Sequence, residues 1–137
     1  MAWLGATPKP PPGSKRAKHA DEAAAVSRVE QMKKDGITPS MPPNPAPHVV
    51  HRLVEMGITE ANGMGASPLS WREIRAWQES TAVDLAPWEA RLMRHLSTAY
   101  LAESRRAESE NCPPPWRAEV TEREREIEQA KLEMVLG

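Results

Sequence analysis

Fourteen prolines set the first limit on what this 137-residue chain can fold into. Four lie between Pro8 and Pro12, five between Pro39 and Pro47, and three stand together at Pro113, Pro114 and Pro115. Proline fixes φ and has no amide hydrogen to donate, so none of these clusters can sit inside a helix or a central strand. Between the second and third clusters only Pro68 and Pro87 occur. Both stand where a helix can start: Pro68 keeps one from arriving earlier, and Pro87 suits a first helical turn.

That stretch carries two helix signatures around tryptophan. Ser70 followed by Glu73 is a capping-box pairing, in which side chains satisfy the free amides of a first turn. The spacing predicts a helix from Trp71 to about Ser80 with Trp71, Ile74 and Trp77 on one face. A second start at Asp84 to Pro87, with Leu85 folding back as a staple, predicts a stripe through Trp88, Leu92, Leu96 and Ala99, widened by Met93 and Tyr100. A short turn joins the two into a helical hairpin. The expected fold class is all-α: a small helical domain built on a Trp-rich hairpin, with Pro-rich extended arms and a charged C-terminal helix.

The flanks fall into segments. Residues 1–16 read as a Pro-rich basic arm, disordered or draped, whose Trp3 and Leu4 can dock on a partner or on the chain itself. Residues 17–36 read as an amphipathic helix with Ala25, Val29 and Met32 on one side and Gly36 as its cap. Residues 37–47 form a Pro-rich linker. The helical core domain, 48–110, opens on a short helix that starts at Pro47 and ends at Gly57, followed by a glycine-containing loop ahead of the hairpin. Residues 111–137 hold Trp116, placed by its proline stem to cover the end of the hairpin, and a charged helix capped at Thr121 and Glu124 that runs towards Val135. Val120, Ile127 and Met134 recur at seven, yet the intervening positions are mostly charged, so this helix is expected to lean on another molecule.

Charge and composition exclude several functions. The net charge is −1, but residues 1–20 carry Lys9, Lys15, Arg16 and Lys18 while residues 101–137 are acidic on balance, which favours contacts between the ends or with partners. The single cysteine, Cys112, leaves no intrachain disulfide and no CxxC metal site. No apolar run approaches the roughly 18 residues of a membrane span, and the start lacks the apolar core of a secretory signal, so no membrane association and a cytoplasmic location are expected. His48 and His51 have no carboxylate or thiol beside them at metal-site spacing. Gly63 and Gly65 make no phosphate loop, and Glu73 and Glu89 are explained by helix capping. No catalytic residue, cofactor or metal is expected. Helix-turn-helix DNA binding through Arg72, Arg75, Arg91, Arg94 and His95 is the rival. Against it stand the long connection from about Thr81 to Ala86 and a slight acidic excess over residues 41–100.

The order L-S-W-x-E-I-x-A-W, D-L-x-P-W-E and L-x-x-L-S-x-A-Y-L, running from Leu69 to Leu101, resembles the tail assembly chaperones of long-tailed bacteriophages. These are small helical proteins encoded between the tail-tube and tape-measure genes. The resemblance implies a non-enzymatic protein that binds the tape-measure and tail-tube proteins in the host cytoplasm. The residues expected to meet a partner are Trp71, Ile74, Trp77, Trp88, Leu92, Leu96, Tyr100 and Trp116. A structural virion protein joining subunits through its arms is the alternative.

Overall fold

The computed structural model describes residues 1–19 and 25–137. The described residues form seven helices and one two-stranded sheet: α1 (Ala2–Gly5), α2 (Lys15–Lys18), α3 (Arg28–Lys34), α4 (Pro47–Glu55), β1 (Thr59–Asn62), β2 (Gly65–Pro68), α5 (Trp71–Thr81), α6 (Pro87–Arg106) and α7 (Glu122–Leu136). The mostly helical fold class holds. The chain divides into two units, one of Met1–Ala2 with Asn44–Arg106, the other of Trp3–Pro43 with Ala107–Gly137.

In the first unit, α4 starts on Pro47 and ends in a left-handed turn at Gly57, φ 94°. The amide of Gly57 bonds the carbonyl of Val54 and that of Ile58 bonds Leu53, so the last carbonyls of α4 are satisfied. Ile58 is itself left-handed, φ 65°, which is costly for a β-branched side chain. Gly57→Ala is expected to destabilise the unit by about 1–2 kcal/mol, because a Cβ has room there but no comfortable backbone geometry. Urea denaturation midpoints measure it.

The segment after α4, expected to be a loop, is a β-hairpin. Thr59 pairs with Pro68, and Asn62 with Gly65, leaving Gly63 and Met64 as a two-residue connection. The Asn62 side chain accepts from the amide of Met64, which fixes the turn. α5 then begins as expected, with the Ser70 hydroxyl accepting from Glu73. The other half of the expected capping box differs: the Ser70 amide donates to Glu60 of β1, not to Glu73. Glu60 thus ties the hairpin to the helix start.

α5 and α6 are joined by residues 82–86, where Gln78 accepts from the Leu85 amide. At the start of α6, Glu89 accepts from the Ala86 amide and from Arg52 of α4, 3.0 Å away. The buried cluster is Val49, Leu53, Leu69, Ile74 and Met93, with Leu85, Leu92 and Leu96 packed around it. The seam of α6 therefore runs through Met93, Ser97 and Leu101, one residue on from the predicted stripe of Trp88, Leu92, Leu96 and Ala99. One residue turns a helix by about 100°, enough to move Trp88 from the core to the surface.

In the second unit, Ser27 and Glu30 form a full capping box at α3, and donation from Ser27 holds the Glu30 carboxyl below its ordinary pKa. This corrects the expected helix over 17–36. Residues 25–27 are not helical, and 20–24 lie outside the described residues. Gly36, φ 71°, caps α3 as predicted. The N-terminal arm is draped: Lys9 and Ser109 form a parallel bridge, and the Trp3 indole donates to the Cys112 carbonyl at 2.8 Å. Lys9 pairs with Glu108 and Arg16 with Glu110, so the oppositely charged ends do meet. α7 carries its predicted capping box at Thr121 and Glu124, and Arg123 reaches the carbonyl of Asp35.

Candidate partner-binding surface

Ser97, fully enclosed, ties α6 to the segment that runs from α4 to α5. Its hydroxyl donates to the Ile58 carbonyl at 2.6 Å and accepts from the Leu69 amide at 2.8 Å. One side chain on α6 thereby holds both ends of the β-hairpin and sets where α5 begins.

On α5, Trp71, Ile74 and Trp77 share a face about 120° wide with Ile74 at its centre. Ile74 is accordingly buried, Trp77 is half-buried, and Trp71 is 52% exposed at the edge. The Arg94 guanidinium of α6 lies 5.6 Å from the Trp71 ring centroid, a cation–π contact that steadies the indole from one side. The Trp77 indole nitrogen is enclosed with no acceptor among the described residues. Trp88, in the first turn of α6, is 58% exposed. Leu92 and Leu96 pack half-buried against the core, and Tyr100 is half-buried.

Of the eight residues singled out from sequence, seven therefore lie on α5 and α6, and Trp116, 38% exposed, belongs to the other unit. Ile74, Leu92 and Leu96 serve the core, while Trp71 and Trp88 face outward. Met93, which the sequence placed at the side of the α6 stripe, is at the centre of the core, whereas Leu69 and Ser97 were not singled out for it. His48 and His51 are exposed, and among the described residues no group of three possible ligands could hold a metal. The carboxylate of Glu89 is committed to Arg52 and the Ala86 amide.

The arrangement is a capped helical scaffold with two indoles left in solvent, suited to contact with another polypeptide. The sequence profile described as phage tail assembly chaperone matches residues 30–102, just over half of the chain. The chain belongs to the phage tail assembly chaperone family. No curated protein and no solved structure matches it. The matched span takes in most of α3, all of α4, the β-hairpin and α5, and α6 as far as Ala102. The chaperone is non-enzymatic, as the resemblance implied. Its arm and α7 lie outside the matched residues.

Proposed function

We propose that the chaperone binds helical segments of phage tail proteins, the tape-measure protein first and the tail-tube protein second, at the outer edges of α5 and α6. Binding takes place in the host cytoplasm while the tail is assembled. The observation that carries this reading is the pair Trp71 and Trp88, each more than half exposed on a helix whose start is fixed by capping side chains. Rigid indoles supply large contact area at little entropic cost and are the commonest anchors of protein interfaces. Family membership supports a tail protein as the partner. No described helix is long and apolar enough to cross a membrane.

Co-expression with successive segments of a tape-measure protein is expected to yield a soluble complex with at least one of them. Trp71→Ala and Trp88→Ala should each weaken that complex about tenfold or more, since anchor truncations cost about 2 kcal/mol, while leaving thermal unfolding nearly unchanged. Lack of binding along the whole tape-measure length, or tight binding by both variants, would count against the reading. Stoichiometric amounts in purified particles would favour a structural virion role instead.

A further inference from the structure

The second unit holds a cavity of about 1030 Å³ between the N-terminal arm and α3. Its walls are mostly apolar, built from Trp3, Pro8, Pro10, Val26 and Met32. The arm has little main-chain bonding to offer there. The amide and carbonyl of Lys9 are spent on Glu108 and Glu110, and the prolines on either side have no amide hydrogen. Whatever the cavity accepts is therefore recognised by side chains.

The charges in the wall are unevenly matched. Lys9, Lys15, Arg16 and Arg28 line the cavity against Asp35 and Glu110. Lys9 pairs with Glu108 and Arg16 with Glu110, whereas Lys15 and Arg28 have no acidic partner among the described residues. Arg28 is the unusual one. It is only 8% exposed, and a cation so deeply buried is ordinarily paired with a carboxylate. Three main-chain carbonyls and the Trp3 ring surround it, yet none carries a formal negative charge, and its Nε–H has no acceptor among the described residues. Asp35 caps the opposite end of α3, about 10 Å along the helix axis, and its carboxylate already accepts from Gln31. One carboxylate at the Arg28 end of the cavity would supply the missing counter-charge.

We propose that this cavity binds an acidic, apolar segment of a partner polypeptide, with a carboxylate against Arg28 and apolar side chains against Trp3, Val26 and Met32. A charge-assisted hydrogen bond set in an apolar wall gives both strength and direction. Lys15 adds to the positive potential that draws the segment in. Lys9, Lys15 and Arg16 are exposed, so the cavity is open on their side and admits a chain that continues past it. The site belongs to the other unit from Trp71 and Trp88, so its failure would leave the tail-protein reading standing.

The full chain, isotope-labelled for magnetic resonance, is titrated with a short end-blocked peptide of alternating glutamate and leucine. Binding is expected with a Kd on the order of 100 μM, weakening as salt is added. The Arg28 Nε–H and the Trp3 indole N–H should shift, while the indoles of Trp71 and Trp88 stay in place. A peptide of alternating glutamine and leucine should bind at least about tenfold more weakly, since it brings no charge to the guanidinium. Arg28 also holds the arm, so the variant of choice is Lys15→Glu, which reverses an exposed, unpaired side chain and should keep the helical circular dichroism. It should weaken the glutamate peptide about fivefold. Unmoved Arg28 and Trp3 resonances, equal binding of the glutamine peptide, or unchanged affinity in Lys15→Glu would overturn the proposal. So would inorganic phosphate shifting the same resonances at the same concentration, because the site would then hold a bare anion and not a polypeptide.

Discussion

Ser97→Ala is expected to destabilise the first unit by about 2–4 kcal/mol, although it removes a single oxygen atom. The side chain is completely enclosed and makes two hydrogen bonds, donating to Ile58 and accepting from Leu69. Alanine would take this partner from the part-buried Ile58 carbonyl and from the buried Leu69 amide, at about 1–3 kcal/mol each. The Ile58 carbonyl belongs to a residue already held at a positive φ, so its anchor also keeps a strained turn in place. Thr98→Ala, one residue on, provides the contrast. Its hydroxyl is exposed and bonds its own helix at Arg94, and its loss should change stability by less than about 0.5 kcal/mol. Equilibrium urea unfolding of the two variants gives both numbers. A Ser97→Ala cost under about 1 kcal/mol would mean that the hairpin ends are held by packing alone.

The contrast between these neighbours also shows what a sequence can and cannot disclose. The starts of α4, α5, α6 and α7 were readable because the signals are local: Pro47 fixes its own φ and lacks an amide in the first turn, and Ser70, Glu89 and Thr121 each accept from amides within three residues. The β-hairpin was not, because TEAN and GASP contain neither alternating apolar residues nor β-branched pairs beyond Thr59. Those strands are held by tertiary partners, chiefly Ser97 and Glu60, which lie far along the chain or across a turn. The indoles were visible as a cluster, but which of them face solvent depends on rotations of about 60° to 100° around each helix. That is why Trp71 and Trp88 lie outside the core while Ile74 and Met93 fill it. Nothing local marked Arg28, whose role depends on carbonyls about 80 residues away.

Arg28→Met should accordingly loosen the second unit, at a cost of about 3 kcal/mol, while preserving the bulk of the side chain. Arg28 is 8% exposed, and its guanidinium donates to the carbonyls of Trp3, Ala107 and Ser109 at 3.1, 2.6 and 2.9 Å. It also stacks 4.5 Å from the centroid of the Trp3 ring. Burial lowers its pKa from the ordinary arginine value, the expected result of withdrawing a charge from water, and the three carbonyls are the compensation. Methionine restores none of these bonds. Lysine is also a poor substitute, because one ammonium cannot keep the planar fork that reaches two chain segments while lying flat on an indole. Hydrogen exchange locates the effect: the amides of Lys9 and Glu110, which bond across the draped arm, should lose protection in both variants. The amide of Leu69, held by Ser97 in the other unit, should keep it. Retained protection at Lys9 and Glu110 would show that the exposed pairs Lys9–Glu108 and Arg16–Glu110 hold the arm unaided, a load that surface ion pairs seldom carry.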